Sequence, residues 1–443
     1  FSALGDRIQA GVTQRIMAEL CLEEADPEQW QQHHQQALAL LEGGPESEEL
    51  ARAISALSRM YSQVSEHDQA LAWGEQSLAM AERLGAGDVA AHALNNIGSA
   101  YAALGDAERG LDALRDSLRR ALELNLPFDA ARAYFNLADQ LQGLGRYDES
   151  KVILEEYRTY GLRIHSLVTV NYALIFLALV EWLCGRWAAA LARRRQIIDW
   201  IDSPQATGYH QIFGRTVLGL MDNDLGRAEE ALQTLDSNLS LARNSGVLRR
   251  AVPYLGESAR TYAALGLQAE TADCLQEMLG WFSRTSQVEQ IEPMCTVYLP
   301  FACRWLAGAE AAEGLAKAHV CLRLLTLSDV QMNNPVKTAI LAEGQGSVAL
   351  AEGSAEQAVE AFRLAATRWQ AVGRPYDQLR ALHELGRALV QTVDIGGART
   401  AFEQALGIAE ALAAQLAEAD VRTSFLNSGL VQGIRDAHTM LGD

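Results

Sequence analysis

The stretch ALNNIGSAYAALGDAERGLDAL (residues 93–114) contains the pattern that decides the fold. Apolar residues recur at helical spacing on both sides of Gly105, and a glycine fits the position just after a helix, where φ is positive. The stretch therefore predicts two helices joined at Gly105. Asn95 and Asn96 lie inside the first helix, although asparagine competes there for backbone hydrogen bonds and so needs an explanation.

The same pattern returns about every 40 residues. Its turn marks are Gly105, Gly145, Gly185, Gly226, Gly266, Gly353 and Val393. Most units carry a small residue seven positions before the mark, another five positions after it, and a large apolar residue four positions further on, as in Gly98, Gly110 and Leu114. One such hairpin cannot bury its apolar face alone, so the small columns must let stacked helices approach while the large column fills gaps between hairpins.

These columns predict an all-α protein, a right-handed α-solenoid of about ten helical hairpins with a 40-residue period. By extrapolation, a first hairpin is centred near Ala25 and an irregular one near Gly308. We expect one domain over residues 1–443, made of an N-terminal helix (1–24), the repeats (25–410) and a C-terminal pair of capping helices (411–443).

Composition limits the possible partners. The chain has 443 residues and a formal net charge of −19, which repels a phosphate backbone, so we expect no direct contact with nucleic acid. The six cysteines show no C-x-x-C spacing, which favours reduced thiols and a cytoplasmic location. The apolar run at 167–185 contains Asn171 and Glu181 and keeps the repeat phase, so we interpret it as a solenoid helix and expect no membrane contact.

Motifs for catalysis and metal binding are absent from the sequence. It contains no H-E-x-x-H and no G-x-S-x-G. His33 and His34 are adjacent, and adjacent helical residues point about 100° apart, so the two imidazoles are poorly placed to share an ion. We predict no catalytic residue, no metal site, no cofactor and no enzyme activity.

The order of small, aromatic and glycine residues in IGSAYAALGDAERGLDALRDSL (97–118) resembles the tetratricopeptide repeat (TPR). The 40-residue unit and the segment ARTAFEQALGIAEALAAQ (398–415) are similar to the C-terminal sensor arrays of STAND-class bacterial signal-transduction ATPases, which include LuxR-like regulators of the maltose-activator type and cyclase-fused relatives. The resemblance implies an array that receives an inducer or protein partner, with oligomerisation through the parent protein's ATPase module. The sequence itself contains no G-x-x-x-x-G-K-[ST] loop.

The resemblance also implies a binding surface. In such arrays the first helix of each hairpin lines the concave face, at positions 13, 10, 6 and 3 before the mark. On or beside these positions lie the candidate binding residues Arg59, His92, Asn95, Asn96, Asn136, Asp139, Tyr172, Trp182, Phe213 and Arg260. Amide side chains both donate and accept hydrogen bonds, which suits a peptide backbone or sugar hydroxyls. Alternatively, the asparagines bridge adjacent helices.

Concave positions in the middle of the chain are apolar or aromatic, as at Tyr172, Trp182 and Phe213. Such residues should not line a water-filled groove uncovered. One hypothesis is an apolar or sugar-stacking pocket flanked by arginines that clamp a carboxylate or phosphate. The alternative is a superhelix tight enough for these residues to pack on each other as core.

Two functions therefore compete. The chain is either the ligand- or partner-sensing domain of a larger transcription or signalling regulator, or a free-standing scaffold that binds other proteins. A sensor for a small ligand should contain a closed, partly apolar cavity. A scaffold should present an open groove with polar ladders.

Overall fold

The computed structural model describes residues 6–23, 27–42, 44–63, 66–284, 293–308, 312–328 and 334–442. Throughout these ranges the regular structure is helical and contains no strand, which confirms the all-α prediction. Ala25, the predicted centre of the first hairpin, lies outside the described residues.

The first half of the chain forms hairpins of two consecutive helices each. They are α1 (Arg7–Glu23) with α2 (Pro27–Leu41), α3 (Glu48–Gln63) with α4 (His67–Leu84), α5 (Gly87–Ala103) with α6 (Ala107–Glu123), α7 (Pro127–Gly143) with α8 (Tyr147–Arg163), α9 (Leu167–Leu183) with α10 (Trp187–Ile201), and α11 (Gly208–Asp224) with α12 (Ala228–Asp236) and the short α13 (Leu239–Arg243).

The second half continues the series with one irregular unit. Its helices are α14 (Leu248–Ala264) with α15 (Gln268–Phe282), α16 (Pro293–Thr296) and α17 (Leu299–Ala307) with α18 (Ala312–Ser328), α19 (Pro335–Ala351) with α20 (Ala355–Ala371), α21 (Pro375–Gln391) with α22 (Ile395–Ala413), and the terminal α23 (Ala419–Leu426) and α24 (Gly429–Met440). Counted over the described ranges, ten hairpins precede the terminal pair, close to the predicted number.

The turn glycines adopt the conformation that their position predicts. Gly105 has φ +92° and Gly185 has φ +69°, a region that L side chains rarely enter. After α5, the Asp106 amide donates to the Tyr101 carbonyl (2.9 Å), which satisfies a carbonyl that the helix end leaves open. Val393 takes the mark position with φ +62°, so the turn forms there without glycine.

The small and large columns of one hairpin meet each other. A Cβ added to Gly98 would lie 2.7 Å from Leu114 and 2.8 Å from the Gly110 carbonyl, and one added to Gly346 would lie 2.8 Å from Phe362. These distances lie within one hairpin, so the expectation that the large side chains fill gaps between hairpins stays a prediction. These large side chains pack inside their own hairpin, onto the small residue of its first helix.

The superhelix closes on itself. Asn334, at the start of α19, donates from Nδ2 to the Gly143 carbonyl at the end of α7 (2.8 Å). Gln415 donates to the Gly185 carbonyl (2.5 Å), and Trp187 packs edge-on against Phe425 with ring centroids 4.8 Å apart. The C-terminal hairpins thus contact the turns of the middle hairpins.

The stretch 167–185 includes α9. Among the helices that the structure describes, none has the length and apolar character required to cross a bilayer.

Candidate functional site

A cavity of about 410 Å³ lies at the inner face of the middle hairpins. We call it the central cavity. Its walls are formed by first helices of these hairpins, α7, α9, α11 and α14, and by α16, α17, α19, α21 and α24 from the closing part of the superhelix. Its size falls in the range of small-molecule sites, and such sites are usually largely apolar with a few placed polar groups.

One wall of the central cavity is apolar. Phe176 and Phe213 stack with ring centroids 4.3 Å apart and an interplanar angle of 21°. The other apolar lining residues include Leu179, Leu183, Val217, Leu220, Pro253, Val297 and Phe301. Leu179 and Leu220 are only half-buried, so this wall keeps apolar surface available to a bound group.

The polar part of the lining, which we call the polar wall, begins with a charged group on α11 and α14. Arg260 donates from Nη2 to Asp224 Oδ1 (2.5 Å) and from Nη1 to Glu257 Oε2 (3.0 Å). Trp182 donates from Nε1 to the other Asp224 oxygen (2.9 Å), while its ring stacks on Trp187 at 4.3 Å and 3°. Asn223 donates to Glu257 (2.9 Å). Two buried carboxylates thus share one guanidinium.

A second charged group on α19 and α21 continues this wall. Arg380 contacts both Glu343 oxygens, at 3.0 and 3.1 Å from Nη2, and lies 2.9 Å from Asp377. Arg374 donates from Nε to Asp377 (2.6 Å). Trp369 donates from Nε1 to Glu343. These bonds hold the C-terminal hairpins in one geometry at the cavity.

Burial and ion pairing shift the pKa values of these groups in different directions. Burial raises the pKa of Glu257 and of Asp224 despite the Arg260 charge beside them. Burial also acts to raise the pKa of Asp377, but Arg374 and Arg380 outweigh it and hold that pKa below its ordinary value. Burial lowers the pKa of His383. The carboxylates that share Arg260 are therefore the more readily protonated pair.

Ion pairs between distant parts of the chain border the cavity. Asp139 on α7 lies 2.6 Å from Arg249 on α14, and Arg304 on α17 lies 3.5 Å from Glu384 on α21. Glu384 also contacts Arg387 (2.9 Å). These contacts join hairpins that are separated by 80 or more residues in the chain.

Four of the predicted binding residues line the central cavity. They are Asp139, Trp182, Phe213 and Arg260. Tyr172 lies beside it, where its hydroxyl donates to the Tyr209 hydroxyl (2.6 Å) and its ring packs edge-on against Phe176. The structure thus brings the central candidates together, and their role in binding stays a prediction.

The N-terminal candidates lie elsewhere and contact neighbouring helices. Asn95 and Asn96 are buried, with 0% and 2% of their surface exposed. Asn96 donates to the Ser55 carbonyl (2.9 Å) and accepts from Arg132 (2.9 Å), and Asn136 donates to Asn95 Oδ1 (2.6 Å). The amides therefore bridge the first helices of adjacent hairpins, which was the structural alternative for them.

His92 and Arg59 belong to the same N-terminal region. His92 Nδ1 is 2.7 Å from Ser55 Oγ, and burial together with nearby arginines places the pKa of His92 well below its ordinary value. Arg59 and Arg132 each lie 6.0 Å from the ring of Phe128, whose side chain is 61% exposed. We call Arg59, His92, Phe128 and Arg132 the N-terminal inner surface.

Sequence reasoning missed several groups of the polar wall. Asp224 and Glu257 lie next to concave positions but not on them, so the repeat phase gave no signal for them. Asp377 and Arg374 lie at the start of α21, outside the four inward positions. The signal available for these residues was their charge within helices that the pattern predicts to be buried. A buried charge requires a partner, so each of them indicates an ion pair.

The polar wall consists of paired charges rather than of clustered metal-ligating side chains. Over the residues that the structure describes, no group of three or more His, Cys, Asp or Glu side chains is placed to hold a metal ion. The charged groups of the polar wall are engaged in ion pairs.

Fold and repeat pattern together define the class: the chain carries tetratricopeptide repeats in an all-helical, TPR-like solenoid. Tetratricopeptide repeat models match residues 9–83, 91–125 and 131–157. TPR families are generally non-catalytic scaffolds for protein–protein interaction. The STAND resemblance is not shown by these matches.

Several solved structures are similar to the chain, and two of them cover most of it. A Rap protein complexed with competence and sporulation factor is 14% identical, with a TM-score of 0.54, covering 84% of this chain and 100% of that one. The APC/C hetero-tetramer Cut9–Hcn1 is 11% identical, with a TM-score of 0.41, covering 98% and 96%. At this identity the Rap likeness supports the fold alone. No curated protein matches the chain.

Proposed function

We propose that this chain is the ligand-sensing TPR domain of a larger bacterial signal-transduction ATPase or transcription regulator, acting in the cytoplasm, and that its inducer binds in the central cavity. The observation that carries the proposal is the cavity itself. Aromatic side chains of the middle hairpins and buried ion pairs line it together, and C-terminal hairpins more than 100 residues away in sequence contribute to the same lining.

Closure gives such a site a way to signal. The contacts Asp139–Arg249 and Arg304–Glu384 join separate parts of the solenoid around the cavity. A ligand that touches both walls favours the closed arrangement by its differential affinity. The parent protein would then respond to the geometry of the solenoid rather than to chemistry in the cavity.

Binding of an uncharged fluorescent probe, N-phenyl-1-naphthylamine, tests the site. Wild-type protein should bind it saturably, and Leu220→Trp, which fills the apolar wall, should abolish binding. Phe128→Ser on the N-terminal inner surface is the control, because Phe128 lies outside the cavity lining. Equal binding by wild type and Leu220→Trp would contradict the assignment of the cavity.

The second candidate is a free-standing TPR scaffold for a protein partner. The observation that favours it is the N-terminal inner surface, where the exposed Phe128 ring lies between two arginines. The complete polypeptide discriminates between the two functions. A G-x-x-x-x-G-K-[ST] loop in the same polypeptide is expected for the sensor, and a complete polypeptide without one favours the scaffold.

A further inference from the structure

The arginines of the central cavity already have carboxylate partners. Arg260 binds Asp224 and Glu257, and Arg380 binds Glu343 and Asp377. The hypothesis that these arginines bind a carboxylate or phosphate of the ligand therefore conflicts with the structure, in which each guanidinium already forms an ion pair. A new anion would compete with side chains held at hydrogen-bond distance.

The ion pairs at and around the cavity are also balanced in number. Within the described residues, the pairs that border it join six guanidinium groups to six carboxylates. His383 adds no charge near neutral pH because burial lowers its pKa. The lining itself holds four of these arginines and five of these carboxylates, and each of its charged side chains has a partner of opposite sign.

We infer that the ligand of the central cavity is an uncharged amphiphile, with an apolar body against Phe176 and Phe213 and a hydroxyl or amide head at the ion-paired wall. This inference rests on the proposed function of the cavity. A charged head would displace one partner of a buried pair and leave the other partner buried without compensation, which is strongly unfavourable. A hydroxyl instead adds a hydrogen bond and leaves every pair intact.

A matched series of alkyl probes tests the inference directly. Binding of 1-octanol, octanoate and octylamine to the full chain is measured by isothermal titration at pH 7, with thermal shift as a second readout. The three probes share the same chain and differ in head-group charge. We expect 1-octanol to bind at least about tenfold more tightly than either charged probe.

The outcomes separate this inference from the proposed function. Octanoate or octylamine binding as tightly as 1-octanol would overturn the inference and leave the cavity as a ligand site. Binding of none of the three would overturn both. Competition of 1-octanol with N-phenyl-1-naphthylamine places the alcohol in the same cavity, and failure to compete counts against the inference.

A charge-switch variant sharpens the test. Glu257→Gln keeps the side-chain shape but leaves Arg260 with Asp224 as its remaining carboxylate partner, so the wall loses one negative charge next to Arg260. Octanoate should then gain about tenfold in affinity while 1-octanol changes little. The matched control is Glu181→Gln, which removes an equally buried carboxylate bound to Arg193 (2.8 Å) outside the cavity lining. An equal gain of octanoate affinity in both variants would contradict the inference.

Discussion

The N-terminal inner surface and the central cavity use equivalent positions of the repeat but have different surroundings. In the N-terminal hairpins, Asn96 and Arg132 bond to each other across adjacent first helices, and Phe128 stays 61% exposed. In the middle hairpins, Trp182 and Phe213 are 1% and 8% exposed. The comparison shows that the repeat places a side chain on the inner face of the solenoid. Closure of the superhelix decides whether that side chain is exposed to solvent or is covered by the C-terminal hairpins.

The difference has a physical basis in burial. Large aromatic side chains are stabilised by removal from water, and the C-terminal hairpins provide that removal only where they reach the middle of the array, as at Trp187 and Phe425. The helices α1 to α4 and the start of α5 form separate, smaller clusters of buried apolar residues, whereas the large cluster begins at Ala91. Polar bridges suit that region because each buried amide there has a hydrogen-bond partner on a neighbouring helix.

The largest expected effect comes from Trp182→Ala. The variant loses a fully buried ring stacked on Trp187 and leaves an Asp224 oxygen without its donor, so the free energy of unfolding should fall by about 3–5 kcal/mol. Urea unfolding followed by circular dichroism measures it. Phe128→Ala is the control from the N-terminal inner surface and should change stability by less than about 0.5 kcal/mol. Similar losses in both variants would remove the contrast between the two regions.

A smaller effect is expected from Asn96→Ala. Its amide satisfies the buried Ser55 carbonyl and bonds Arg132, so its loss should cost about 1–3 kcal/mol in the same unfolding measurement. Asn171→Ala is the control, because the Asn171 amide donates to Leu167 of its own helix. If Asn96→Ala is as stable as wild type, the amide does not bridge the hairpins.

Acid sensitivity should differ between the regions, beginning with His34. Its side chain is 2% exposed, and burial, with Arg15 and Arg59 nearby, lowers its pKa to about 4. Between about pH 6.5 and 4 the His34 imidazole is protonated in the unfolded chain but stays neutral in the native state. The free energy of unfolding therefore falls as the pH falls. His34→Gln should lose about 1–2 kcal/mol less than wild type between pH 7 and 5. Equal acid losses in variant and wild type would contradict this.

Glu257 is expected to change the stability in the opposite direction as the pH falls, by a smaller amount than His34. Burial raises the pKa of Glu257, so the native state takes up a proton more readily than the unfolded chain just above the ordinary glutamate pKa. That uptake supports the folded state as pH falls. Glu257→Gln removes the uptake and should therefore lose more stability than wild type between pH 7 and 4.5. Unfolding midpoints across this range, compared with those of Glu181→Gln, measure the difference.

Much of the fold was predictable because it follows from local spacing. The 40-residue period located the turn glycines, and the small and large columns located the packing of paired helices, as Gly98 and Leu114 show. Part of the cavity was predictable for the same reason. Trp182, Phe213 and Arg260 occupy regular inward positions and line it together.

The rest of the site was not predictable from the repeat. Tyr298 and Phe301 come from the irregular hairpin, and Arg374 and Asp377 from the start of α21, where no regular inward position lies. The role of Asn95 and Asn96 also depends on tertiary contacts that the repeat does not encode. An asparagine amide can form its hydrogen bonds with a ligand or with a neighbouring helix. The bonds to Ser55 and Asn136 show that these two amides use neighbouring helices.

By itself, then, the sequence determined the helices and their turns, because these depend on residues within one 40-residue unit, while the inward positions of the first helices followed from the resemblance to TPR arrays. Only the tertiary structure decided which inward residues share a cavity. That depends on the accumulated rotation from hairpin to hairpin, which brings Asn334 onto the turn after α7 and Gln415 onto Gly185. Small packing differences at each step add over the array, so no single repeat encodes where the superhelix closes.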